Sequence, residues 1–218
     1  DLLKHVAEAR GRVVVTTFAS NSARLQTLAD VAREAGRKLC FAGRSLHKIV
    51  EASQATGYLK NLPEMVDMEA VDAFPRNQVM GVATGGQGEA RAALARIAEG
   101  NHPVKLEEGD TVIFSSKQIP GNEMAIGHVM NQLARRNIIM VTEKQAHVHV
   151  SGHPGRSELA KLYEWVKPEI LVPVHGERRH MAEQARFAQE QGVRKTIVQS
   201  NGDVIRLAPK GPQQVGNE

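Results

Sequence analysis

Short β-branched runs, each followed within a few residues by a helical pattern, recur along the first two-thirds of the sequence. This alternation constrains the fold more than any other feature. Arg12 to Thr17 (RVVVTT) is the first run. It leads through Ser20-Asn21, good helix N-cap residues, into apolar positions Leu25, Leu28, Ala29 and Ala32 at helical spacing, stopped by Gly36. Lys38 to Ala42 precedes a helix through Leu46, Ile49 and Val50. Val79 to Ala83 precedes a glycine-rich loop and a helix over Ala90 to Ala98. Thr111 to Ser115 precedes a helix carrying Ile126, Val129, Met130 and Leu133, and Ile138 to Val141 reads as a further buried run. Uninterrupted apolar strands joined by helices predict an α/β fold with a mostly parallel sheet, because parallel neighbours need crossover connections.

The texture changes near residue 145. His147-Val148-His149-Val150 alternates with the period of a half-exposed strand. A helix is expected over Ser157 to Val166, a short run over Ile170 to Val174, and a polar helix over Arg178 to Gln191. Thr196 to Val198 and Val204 to Leu207 flank Ser200-Asn201-Gly202-Asp203, whose Asn-Gly predicts a hairpin between them. Pro209 to Glu218 reads as a linker or frayed tail.

A length of 218 residues means one large domain or two small ones, enough to bury a core without disulfides. The single cysteine, Cys40, excludes an internal disulfide and a Cys-based zinc site, and makes the cytoplasm the expected compartment. No apolar run approaches the roughly 20 residues of a membrane span, and no signal peptide opens the chain. Asp1 begins directly in helix-like sequence, so a piece of something longer is expected. Lys and Arg number 28 against 24 Asp and Glu, a mildly basic balance that permits a nucleic-acid partner without requiring one. Five Phe, two Tyr and one Trp are too few for a broad base-stacking platform.

Four loops follow the strand runs: Thr17 to Asn21, Thr84 to Glu89, Ser115 to Glu123 and Ser151 to Arg156. Parallel sheets bind ligands at such strand ends, and Ser, Thr and Gly before a helix offer backbone N–H groups to anions. Each loop alone could be no more than a good turn; four together point to a polyphosphate or nucleic-acid backbone. The P-loop signature is absent, and Arg91 stands where a dinucleotide fingerprint needs Gly or Ala. His147, His149, His153 and His175 cluster late in the chain. A histidine at a strand end beside glycine, as at His175-Gly176, suits metal ligation, although a lone histidine is more often simply packed.

In order along the chain stand Thr16-Thr17-Phe18-Ala19-Ser20-Asn21, Gly43-Arg44-Ser45, Ala83-Thr84-Gly85-Gly86-Gln87-Gly88-Glu89, Ile119-Pro120-Gly121-Asn122-Glu123, Val150-Ser151-Gly152-His153 and Val172-Pro173-Val174-His175-Gly176-Glu177. This series resembles bacterial ribonuclease J, a β-CASP family of the metallo-β-lactamase superfamily. The resemblance implies a β-CASP domain over residues 1–145, the returning C-terminal part of a metallo-β-lactamase αββα domain over 146–208, and the tail 209–218. It implies a metal-dependent ribonuclease, with 5′-to-3′ exonuclease and endonuclease activities, acting in RNA processing and decay. Its centre would hold two divalent metals, Zn or alternatively Mn or Mg. Its partners would be single-stranded RNA with a 5′-monophosphate and further copies of itself, with no membrane involved.

Carried over by position, His175 matches a metal ligand, and His153 the histidine near the scissile phosphate, as transition-state stabiliser or proton donor. Thr84, Gly85, Gln87, Glu89, Ser115, Ser116, Asn122, Ser151, Gly152 and Arg156 match the RNA and phosphate path. Arg44, Lys117 and Arg178 are further candidate cations. The HxHxDH cluster of the family is not among these residues, so the chain alone is expected to be inactive. Gly86 replaces the family's Ser, and Pro154 a small Ala-like residue. His at 175 fits the RNA-processing branch, since DNA-processing relatives carry Val there. A non-catalytic RNA-binding module and a DNA-directed β-CASP nuclease are the competing readings.

Overall fold

The computed structural model describes residues 1–218, in two compact units, Asp1–Val150 and Ser151–Glu218. The first unit is built on β1 (Val13–Thr16), β2 (Lys38–Ala42), β3 (Val79–Ala83), β4 (Thr111–Phe114) and β5 (Ile139–Val141). All pair in parallel, in the order β2-β3-β1-β4-β5. Helices α1 (Leu2–Glu8), α2 (Ser22–Glu34), α3 (Arg44–Ala55), α4 (Ala93–Ala98) and α5 (Glu123–Ala134) make the connections.

The alternation of side chains along β1 divides the core between two sheet faces. Val13 and Val15 pack with Leu2, Leu25, Leu28 and Leu46 of α1, α2 and α3. Val14 packs with Leu94, Ile97, Val129 and Leu133 of α4 and α5. Both faces being covered, the strand is apolar without alternation, as read from its sequence. The stripe Leu25, Leu28, Ala29 and Ala32 is buried, Asn21 Oδ1 accepts the Arg24 N–H at 2.9 Å, and Gly36 takes φ +66° beyond the helix end. At the outer edge of β2, the Leu39 N–H donates to Glu64 O and the Val66 N–H to Leu39 O, both at 2.9 Å. A loop therefore covers that exposed edge.

At the amino edge of the sheet one carboxylate collects four donor groups. Asp110 Oδ1 accepts the Arg12 N–H at 2.7 Å and the Arg76 Nε–H at 3.1 Å. Its Oδ2 accepts the Glu107 N–H at 2.7 Å and pairs with the Arg76 guanidinium. The fully buried Arg12 side chain donates to Lys105 O at 2.7 Å and Val71 O at 2.9 Å. A Cβ on Gly11 would fall 2.4 Å from Asp110 Oδ1, so a residue without a side chain is required there.

The second unit contains α6 (Arg156–Val166), β6 (Ile170–Leu171), α7 (Arg178–Glu190), β7 (Lys195–Thr196), β8 (Asp203–Arg206) and β9 (Gln213–Asn217). Its small core is Tyr163, Phe187, Ala188 and Val193. Glu158 accepts the Gly155 N–H at 2.7 Å and so caps α6. No helix of the chain is long and apolar enough to cross a membrane.

Four local expectations are corrected. Residues 147–150 form no strand: Val148 is buried while Val150 is 64% exposed, although period-two alternation would put both on one face, and no ladder partner lies beside them. Helix α4 starts at Ala93 rather than Ala90, because Glu89 to Ala92 forms a turn in which the Ala92 N–H donates to Glu89 O at 3.0 Å. Ile139 is half exposed, since β5 is an edge strand. The Asn201-Gly202 turn is present, but β7 pairs in parallel with β6, and β8 pairs with β9, inside the expected tail. A turn signal reports a reversal of direction, not which segment supplies the partner. Here Gln214 and Asn217 side chains reach Asp203 Oδ1 at 2.5 and 2.8 Å and hold β9 in place.

Asp110→Ala should remove about 3–5 kcal/mol of stability, because the Arg12 and Glu107 amides and the Arg76 guanidinium lose their acceptor together. Urea denaturation is the measurement, with Asp110→Asn expected to fall between the two.

Candidate functional site

The helix that follows β1 packs on one face of the sheet and those that follow its neighbours β3 and β4 on the other, so β1 lies at a topological switch, with β2 and β3 on one side and β4 and β5 on the other. Loops leaving neighbouring strands at such a switch diverge and open a crevice at the carboxyl edge. A cleft of about 270 Å³ lies there, lined by residues following four strands, among them Thr17 and Phe18, Ser45, Thr84 to Gly86 with Glu89, and Ser116.

Each loop is held by specific bonds. The Thr17 N–H donates to Ala83 O at 3.0 Å, tying the β1 and β3 exits together, and the Leu94 N–H donates to Thr84 O at 2.9 Å, tying the β3 exit to α4. Gly88, at φ +77°, lies so close to α5 that a Cβ would meet the Ala125 carbonyl carbon at 2.4 Å. Gln87, expected on the RNA path, is buried beneath the loops. Its Nε2 donates to Lys117 O at 2.8 Å, and its Oε1 accepts the Ile119 N–H at 3.0 Å and the Asn122 Nδ2–H at 3.3 Å. Gln87 and Asn122 therefore bridge the β3 and β4 exits. Ser115 is likewise engaged, donating from Oγ to Val148 O at 2.7 Å. Ser116 Oγ and Thr16 Oγ1 stand 2.5 and 3.0 Å from where a Cβ on Gly86 would sit, so Ser at 86 would displace the Ser116 hydroxyl.

Thr84, Gly85, Glu89 and Ser116 thus share one cleft, while Gln87, Ser115 and Asn122 support it. Phe18 and Ser45 belong to the lining too; their places beside strand ends were the available signal. Glu89 is the one ionisable lining residue. The cations Arg44, Arg91 and Lys117 are exposed at positions next to or near Ser45, Glu89 and Ser116 in the chain.

In the second unit Ser151, Gly152 and His153 are exposed at the start of α6, with Ser151 Oγ accepting the His153 N–H at 3.1 Å. The rings of His153 and His175 stack with centroids 5.8 Å apart and planes 9° apart. His175 has φ +63°, a left-handed conformation that a β-carbon disfavours and that surroundings must enforce. Arg156 pairs with Glu183 and lies 5.1 Å from the Phe187 ring centroid, so its charge is already engaged within the unit. Hydrogen bonds from Arg186 and Arg156 hold the Glu183 carboxyl down at about 2 from its ordinary 4.5. Arg178 donates to Val198 O at 3.3 Å. In the first unit His149 Nδ1 is buried without a partner.

No three His, Cys, Asp or Glu side chains of the chain come together in a metal-holding group. The stacked pair supplies two imidazoles, below the three protein ligands a catalytic zinc needs. The residues present do not make a metal centre by themselves.

The architecture is a doubly wound parallel sheet with a loop cleft at its carboxyl edge, followed in the chain by a small unit carrying a stacked histidine pair. Residues 10–133 match the family described as "Ribonuclease J, beta-CASP domain", and residues 138–198 the "Zn-dependent metallo-hydrolase RNA specificity domain". The chain belongs to the ribonuclease J β-CASP family. It is 42% identical over 218 residues to a ribonuclease J of Sinorhizobium meliloti, covering all of this chain and 38% of that protein. It is 36% identical over 205 residues to one from Synechocystis, covering 92% and 32%, and 40% identical over 203 residues to one from Mycolicibacterium smegmatis, covering 91% and 36%. The chain thus spans about a third of the length of the curated relatives it matches. The second matched family is zinc-dependent, which implies a divalent metal for its members.

Gln87→Leu should destabilise the first unit by about 1–3 kcal/mol, since the buried amide that joins Lys117, Ile119 and Asn122 is lost and its three hydrogen bonds go together. Hydrogen exchange should accelerate at the Ile119 amide while the β1 amides change little. A second expectation concerns pH. Glu183 has a folded value below its ordinary one, so its pairing supports the second unit above about pH 4.5 and is lost as pH falls toward about 2. Carbon-detected NMR titration of Glu183 should show that low midpoint, and Arg156→Ala should move it up.

Proposed function

We propose that this chain forms the RNA-guiding part of a metal-dependent ribonuclease acting in RNA processing and decay. The observation that carries the reading is the convergence of hydroxyl- and glycine-rich strand exits on one cleft, with the exposed cations Arg44, Arg91 and Lys117 close in sequence to its lining residues, in a chain of this family. Residues 1–145 serve as the β-CASP domain, 146–208 as the returning part of the lactamase domain, and 209–218 as its tail. Single-stranded RNA with a 5′-monophosphate is the substrate, cleaved from its 5′ end or internally, by a cytoplasmic homo-oligomer of the intact protein.

Within that reading the chain's residues bind and orient. Backbone N–H groups and the Ser116 and Thr84 hydroxyls face the RNA, and Arg44, Arg91 and Lys117 neutralise its phosphates. Ser151 and Gly152 hold the exposed turn from which His153 reaches the scissile group. His153 places a proton on the leaving oxygen from its imidazole, oriented by the stack against His175. His175 is the one metal donor this chain offers; the two-metal centre, of zinc or alternatively of manganese or magnesium, is not completed by its residues.

The chain should bind single-stranded RNA with an affinity that falls with salt, by roughly 0.7 log units per log unit for each phosphate contacted. It should not hydrolyse 5′-monophosphorylated RNA in Mn²⁺ or Zn²⁺. In the intact protein His153→Ala should lower kcat and kcat/KM together by about 10²–10⁴-fold with RNA affinity retained. Retained turnover would remove His153 from the chemistry, and salt-independent binding would count against the phosphate-guiding role.

A further inference from the structure

The cleft at the carboxyl edge of the sheet is poorly suited to the phosphate itself. Its one ionisable lining residue is a carboxylate, Glu89, and neither Lys nor Arg lines it. A phosphate drawn inside would meet like charge at short range. The lining instead combines an aromatic face, hydroxyls and an oriented acceptor. Phe18 leaves 46% of its surface exposed there. Glu89 Oε2 accepts the Gln87 N–H at 3.0 Å, which fixes the carboxylate, and Oε1 receives no hydrogen bond. Next to Gly86 of the lining, the completely buried Thr16 Oγ1 has no hydrogen-bond partner.

We infer that this cleft is a nucleoside subsite, in which Phe18 stacks on a base and Glu89 accepts a hydrogen bond from the ribose 2′-hydroxyl. The inference rests on the RNA-guiding reading and deepens it: phosphates follow the exposed cations Arg44, Arg91 and Lys117, and one nucleoside turns inward. Every base has a π-face, so stacking on Phe18 tolerates sequence. The 2′-hydroxyl is the group by which a protein tells RNA from DNA. A carboxylate holding ribose at the carboxyl edge of a parallel sheet is a recurrent solution in nucleotide-binding α/β folds. At about 270 Å³ the cleft falls just below the usual range of ligand sites, which begins at roughly 300 Å³, and suits one nucleoside rather than a stretch of chain.

The test titrates a 3′-fluorescein oligoadenylate and its 2′-deoxy counterpart with the 218-residue chain, followed by anisotropy. The unaltered chain should prefer RNA by roughly tenfold, the worth of one hydrogen bond to a charged group. Glu89→Ala should bring that preference to about unity. Glu89→Gln, which keeps an acceptor for the Gln87 N–H and so preserves the loop, should give an intermediate preference. Phe18→Ala should weaken RNA and DNA alike, by roughly tenfold or more. Thermal melts of each variant establish that it is folded, and if Glu89→Ala is not, the Glu89→Gln comparison decides. An RNA preference untouched by Glu89→Gln, or equal strengthening of RNA and DNA binding by it, overturns the subsite while leaving RNA guidance intact. Failure of the unaltered chain to bind the RNA overturns both.

Discussion

The parallel sheet of the first unit depends on the Asp110 carboxylate. Parallel strands begin far apart in sequence, and nothing local sets the start of one against the start of the next. Asp110 supplies that reference by accepting the Arg12 amide at the head of β1 while its own residue leads into β4. The same carboxylate holds the Glu107 amide and Arg76, so the loop before β4 and the segment before β3 are gathered at one point. Gly11 lies beside it because no side chain fits there. With the amino edge anchored in this way, the register of β1 with β3 and β4 is set, and the strand exits at the opposite edge arrive side by side.

That opposite edge is bridged from strand exit to strand exit by neutral hydrogen bonds. Gln87 reaches from the β3 exit to Lys117, Ile119 and Asn122 on the β4 exit, and Ser115 ties the latter to Val148. These groups brace the loops from below and leave Ser116, Thr84 and Glu89 to face the cleft. Glycine is needed where the loop touches α5, at Gly88, since any Cβ would enter the helix backbone. The anchoring carboxylate and the loop cleft therefore lie at opposite ends of the same strands.

The second unit has a core of only a few side chains, and its charged residues take part in its structure. Arg156 and Arg186 converge on Glu183, and Arg156 lies against Phe187. A cation so engaged is less free to meet a phosphate than its exposure suggests. The paired imidazoles of His153 and His175 are the exception: both are exposed and mutually oriented, and one is held in a left-handed backbone conformation.

Much of this was legible in the sequence. The apolar runs at Val13, Leu39, Val79 and Val112, the stripe of α2 and the caps at Asn21 and Gly36 state their conformations locally, because burial on both faces and helical periodicity leave a direct mark on residue type. The position of the cleft was legible as well, since crevices of parallel sheets open at strand exits. The partners were not. The sequence could place Gln87 in a glycine-rich loop but not beneath it, and could place Arg156 beside a histidine but not against Glu183. It could mark the Asn201-Gly202 reversal without showing that the polar, fully exposed Gln213–Asn217 pairs with β8. Local conformation is decided by a residue and its near neighbours. Which distant donor meets which acceptor depends on where the whole chain passes, and only the tertiary structure decides that.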